Sequence, residues 1–190
     1  MTELVDLWVP ILVATVGVFV LSFVFWMLSP HHQADVAFCP EQDAVMEMIR
    51  VSAIKPGMYM FPNCATKAEW SSEEYKALYE SGPWGMISVL PGKPNMGRNL
   101  VVTFVYFLIV SVVVAYLTGL SRAPGAEFLA VFQVASTAAG LVYVLGGWTN
   151  GIWFGKRLRF FITDFFDGLL YAGATGIAFA LLWPGAAPAI

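Results

Sequence analysis

Charge is what this chain has least of: only 12% of its 190 residues are Asp, Glu, Lys or Arg, about half the share of an ordinary soluble domain. With 58% of residues apolar, water is not its main solvent. Ten basic residues against 13 acidic ones leave a net charge of -3, which gives no basic face of the kind that tracks phosphates. Nucleic acid is therefore excluded as a partner class. Cysteine is almost missing too. Cys39 and Cys64 are too few for a disulfide framework, and free thiols are expected if they face a reducing compartment. The only histidines, His31 and His32, are neighbours, which rules out a haem held between two histidines of one chain, because axial ligands approach opposite faces. No positive n-region precedes the first apolar run; Glu3 and Asp6 stand there, and the run exceeds a signal-peptide core, so it is expected to remain as a span.

What is present is hydrophobic length. Four runs reach the roughly 20 residues needed to cross a bilayer: about Leu7–Leu28, Leu100–Leu120, Phe128–Gly147 and Ile162–Trp183. Trp8, Trp26, Trp148, Trp153 and Trp183 fall at or beside their ends, where an indole keeps its ring apolar and its N–H wet. Four spans put the 30–99 insert and the 148–161 loop on one side, with the termini and the 121–127 loop on the other. Of the ten Lys and Arg residues only Arg122 lies on the second side, so the insert is expected to be cytoplasmic and both termini outside.

The chain is thus expected to be a mainly α membrane protein in three parts: residues 1–29 with the first transmembrane helix, a polar insert over 30–99, and a three-helix transmembrane region over 100–190. The insert carries its own start and stop signals. "PEQDAVMEMIR" opens on Pro40 and acids and closes on Arg50, the polarity a helix dipole favours. In "WSSEEYKALYESG", Ser71 and Glu74 make a capping box, Trp70 staples onto Tyr75, and Gly82 supplies the left-handed stop. "GMYMFP" and "WGMISVL" read as short extended segments able to pair, which makes the insert α+β.

Candidate sites are sparse. His31, His32, Asp35, Cys39 and Cys64 are all metal-ligand types, but they show no CxxC, HxxxH or other recognised spacing, so no metal or cofactor is assigned and the histidines read as an interfacial pair after Pro30. Asp164 and Asp167 share a face at three-residue spacing; they read as anions in the first turns of the fourth span, paired with Arg157 or Arg159, or alternatively as the lining of a polar path. Gly168, Ala172, Gly176 and Ala180 form a small-residue row for close helix packing, with Ala135, Ser136, Ala139 and Gly140 as a facing surface. Lys156, Arg157 and Arg159 in "GKRLRFF" suit anionic lipid headgroups. The GK in "LPGKPN" lacks the glycine and hydroxyl residue of a phosphate loop, and no hydrolase, kinase or HExxH motif occurs, so no catalytic residue is assigned.

The pattern "PHH…D…DAV…IR…PGMYMFP" resembles small uncharacterised bacterial membrane proteins built from one span, a polar insert and further spans. That resemblance implies a bacterial inner-membrane location and carries no activity. The expected function is a non-catalytic accessory, assembly or stabilising subunit of a larger membrane complex, with the bilayer and other membrane subunits as partners. Two alternatives stand beside it: a small transporter or channel component using Asp164 and Asp167, and a membrane-bound metal or redox protein using the histidines and cysteines.

Overall fold

A computed structural model describes residues 2–185. It is mainly helical, 66% of the chain, with one two-stranded sheet. In chain order the elements are α1 (Trp8–Phe23), α2 (Gln42–Val51), β1 (Gly57–Phe61), α3 (Glu73–Ser81), β2 (Gly85–Val89), α4 (Met96–Ser121), α5 (Phe128–Tyr143), α6 (Trp148–Trp153) and α7 (Leu158–Leu181). Two compact units divide them: Phe38–Asn95, and the helical remainder formed by Met1–Ala37 with Met96–Ile190.

In the helical unit, the segments Leu4–Leu28, Met96–Ser121 and Phe128–Trp153 are long and apolar enough to cross a membrane. The fourth expected span is the helix α7. It is not among those three, because Arg159, Asp164 and Asp167 lower its apolarity. It is also the helix with the most buried residues, from Thr163 to Ala180, and it packs most extensively against α5 and next against α1. Polar side chains on such a helix meet other helices instead of the outer surface, so they do not need to be apolar.

The four long helices alternate in direction. Thr2 N–H donates to Gly119 O at 3.0 Å, Gly125 N–H to Pro184 O at 2.8 Å, and Trp183 Nε1–H to Ala123 O at 2.9 Å. These bonds gather the start of α1, the α4–α5 turn and the end of α7 at one pole. The opposite pole holds residues 29–37 and the first turns of α7, tied together by Arg159 and Thr163. Between the poles the core is built largely of small residues, Ala115, Ala135, Ala139, Ala172 and Ala180, closed by Val114, Val131 and Phe179.

The Phe38–Asn95 unit is a hairpin with two short helices. β1 and β2 pair antiparallel, in register from Gly57↔Val89 to Phe61↔Gly85, and the Phe61 ring lies where a Cβ on residue 85 would stand. The second helix begins one residue later than the capping box implies: Ser72, extended at φ -70° and ψ 146°, accepts the Tyr75 N–H, while Ser71 closes a preceding 3-10 turn. Trp70 does reach Tyr75, ring centroids 6.0 Å apart, and Gly82 ends the helix at φ +62°. Cys39 and Cys64 are free thiols.

Candidate metal centre at the His31–His32 turn

α1 ends in a wide turn, Val24–Leu28, in which Ser29 N–H reaches back five residues to Val24 O at 2.9 Å. Such turns recur at functional sites because they re-aim the side chains they carry. Here Trp26 is brought flat onto His32, centroids 3.8 Å apart and planes 11° apart, and Phe25 edge-on to His31 at 5.5 Å. Pro30 then fixes the first position of a 3-10 turn, Pro30–His32, capped by Ser29. Because that turn is tight, neighbouring residues swing their side chains toward one point of α7.

That point is Asp167. His31 Nε2 stands 3.0 Å from its Oδ1 and His32 Nε2 2.9 Å from its Oδ2. Behind the histidines, Ser29 Oγ lies 2.8 Å from His31 Nδ1, and Asp35 Oδ2 lies 2.7 Å from His32 Nδ1. Asp35 also accepts from Thr163 Oγ1 at 2.9 Å and from Arg159 Nε at 3.0 Å, while an Arg159 terminal nitrogen donates to His31 O at 2.8 Å. His32, Asp35 and Asp167 are all buried, at 7%, 4% and 5% exposure. Burial pushes the Asp35 carboxyl up, but hydrogen bonds from His32 and Thr163, with the charges of His32 and Arg159, outweigh it and hold the carboxyl below its usual range.

Donor accounting makes His32 the decisive residue. Its two ring nitrogens face two different carboxylates, and an ionised carboxylate only accepts. A neutral imidazole has one N–H, so one contact would set lone pair against lone pair. The mismatch is resolved if both nitrogens carry protons, if the buried Asp167 carboxyl carries one, or if a cation takes the place of the Nε2 proton. His31, His32 and Asp167 each offer an atom to one such point, all within 4.8 Å of one another. The histidines reach different oxygens of Asp167, so one ion held by all three would draw both Nε2 atoms and a carboxylate oxygen to about 2.0–2.2 Å of a common point. The Nδ1 partners, Ser29 and Asp35, are the outer-shell acceptors that orient a metal-bound imidazole.

Several expectations change in consequence. The interfacial histidine pair after Pro30 turns inward onto protein: His32 is buried and His31 only partly exposed. Neither Arg157 nor Arg159 pairs with the α7 acids; Arg159 serves Asp35, and Lys156 lies 3.7 Å from Asp164 and over the Phe160 ring. α7 starts at Leu158 instead of Ile162, so Asp167 lies about 13 Å along it, in its third turn. Of the five tryptophans placed at span ends, Trp183 is buried with its Nε1–H on Ala123 O, and Trp26, half exposed, stacks one face on His32. Cys39 and Cys64 lie in the other unit, so the cluster is built without cysteine. The small-residue row of α7 lies where α5 comes closest: a Cβ on Gly168 would meet Tyr143 O at 2.5 Å, and one on Gly176 would meet Ser136 Cβ at 2.8 Å.

Asp35 is a ligand type by sequence and Trp26 a span-end tryptophan, but the sequence pattern assigns no role to Ser29 or Thr163. A usable signal existed: two carboxylates in an apolar helix need partners, and two adjacent histidines beside another apolar span are among the side chains that can supply them. Comparisons with protein-family models, with curated proteins and with solved structures returned no match.

Proposed function

We propose that this chain is an integral membrane protein that binds one first-row divalent metal ion through His31, His32 and Asp167. The single supporting observation is the placement of His32 between two buried carboxylates while both histidine Nε2 atoms converge on Asp167. Two imidazoles and one carboxylate suit zinc, iron or manganese and leave coordination positions open. In this reading α7 is a fourth span, with Asp167 matched by the histidines and Asp164 by Lys156, so neither acid meets lipid alone. The 30–99 insert is then cytoplasmic, the membrane is the bacterial inner one, and Arg157, exposed just before α7, contacts headgroups.

Purification in mild detergent without chelator, followed by elemental analysis, tests the reading. About one metal per chain is expected. His32→Ala and Asp167→Asn should each lose it while remaining monodisperse. A wild-type chain that retains no metal, and takes up none of zinc, iron(II), manganese or cobalt(II) on titration, would make the cluster a hydrogen-bonded clasp between the 29–37 segment and α7 and nothing more.

The accessory-subunit reading rests on a separate observation. The outer face of α4 carries Val101, Val105, Ile109, Val113 and Leu117 at four-residue spacing, all exposed within the chain. Either lipid or another subunit covers this face, and gentle extraction with identification of co-migrating chains decides between them. A lone chain would reject the subunit role without touching the metal centre.

A further inference from the structure

The hairpin of the Phe38–Asn95 unit carries three of the chain's eight methionines on one face. Met58 and Met60 are two apart on β1, so both side chains leave the same side of the sheet. Met86 of β2 is the direct antiparallel partner of Met60, and residues opposite one another share a face. Ser88, opposite Met58, completes that face. Methionine usually fills gaps in a core, but these side chains are not in one. Met58 is 63% exposed and Met60 48%, and Met86 is only partly buried. An antiparallel sheet ordinarily turns polar side chains to water, whereas three of the four here are thioethers.

We propose that Met58, Met60 and Met86 form a three-thioether site for a soft monovalent cation, copper(I) or its analogue silver(I). Directly opposite Cβ atoms stand about 4.5–5.5 Å apart, and residues two along a strand roughly 7 Å. Methionine is unbranched with three rotatable bonds, so sulfurs on such a grid can converge on one ion. A thioether is neutral and soft, a poor ligand for hard cations and a selective one for copper(I). The site shares no ligand with the His31–His32 centre and does not rest on it. Thioethers carry no titrating proton, so occupancy is independent of pH, whereas ordinary histidine ligands release metal as pH falls through about 6.5.

The test uses the full chain in detergent as Cys39→Ser/Cys64→Ser, which removes the thiols that would compete for the ion. Copper(I) is titrated without oxygen, with ascorbate present, against a chromophoric copper(I) chelator. One copper(I) per chain is expected with the same affinity at pH 7.5 and 5.5. Met60→Leu keeps an exposed apolar side chain of similar size and should weaken binding at least about tenfold, the least that losing even an outer-shell partner of a metal costs. Met27→Leu, in the helical unit, should leave it unchanged. With methionine methyl groups labelled by carbon-13, silver(I) should shift the Met58, Met60 and Met86 signals together and leave Met27 in place.

Full affinity in Met60→Leu would overturn the site, and so would Met58 and Met86 methyl signals that ignore silver(I). An affinity that falls between pH 7.5 and 5.5 would move the copper(I) to the histidines. A thiol-free chain that yields all its copper(I) to the chelator would leave the methionine face an apolar surface only.

Discussion

His32 has two nitrogens and two carboxylates to answer, and Asp35 decides how well it does so. Asp35 accepts from His32, Thr163 and Arg159 at once, so replacing it by Asn leaves one oxygen acceptor where a carboxylate offered two. Asp35→Asn should therefore keep one metal per chain but bind it about 10–100-fold more weakly, read by competition with a chromophoric chelator. Unchanged affinity would reduce Asp35 to a fastener between the 29–37 segment and α7. At this scale the sequence was half legible. Ser29, His31, His32 and Asp35 stand within seven residues of one another, so their proximity is visible on the page. Asp167 is 135 residues beyond His32, and only the antiparallel course of α1 and α7 brings it between the histidines. No spacing rule for local ligand pairs can register such a partner.

Helices were more legible than their ends. The apolar runs fix where α1, α4, α5 and α7 lie, since about 20 residues of hydrocarbon-compatible side chains leave few alternatives. Boundaries depend instead on single bonds, as at Ser72, where one hydroxyl accepting one N–H sets the start of α3. On α7, Arg157 is extended and Leu158 already helical, so Arg159 belongs to the helix and reaches back to residues 31 and 35. The row of small residues on α7 makes a graded prediction. Gly168→Ala would push a Cβ into the backbone of Tyr143, which cannot yield as a side chain can, whereas Gly176→Ala presses on Ser136 and the Phe132 ring. Gly173, on the same helix, has open space at that position. Thermal unfolding in detergent should rank Gly168→Ala as the most damaging, at about 1–3 kcal/mol, with Gly176→Ala milder. Gly173→Ala should be neutral or stabilising by up to about 1 kcal/mol, because alanine favours helix. Equal effects at 168 and 173 would mean that α5 and α7 do not meet as described.

Charge distribution ties the helical unit to the membrane as a whole. One pole carries Lys156, Arg157 and Arg159, the other Arg122 alone, whose guanidinium donates to Ala130 O and Ser121 O at the α4–α5 turn. Because α1, α4, α5 and α7 alternate, the pole with the histidines is also the pole where the chain leaves at Ala37 and returns at Met96. The two thiols report which side that is. Cys39 is exposed, whereas partial burial and the Glu69 carboxylate push the Cys64 thiol up, away from its reactive thiolate. An impermeant maleimide applied to intact cells should therefore leave Cys39 unlabelled and modify it promptly once the membrane is opened, with Cys64 following more slowly. A Cys64→Ser chain isolates the Cys39 signal, and labelling of that chain in sealed cells would turn the orientation over. The proposed metal site would then face the outside, where its histidines would meet a different pool of ions.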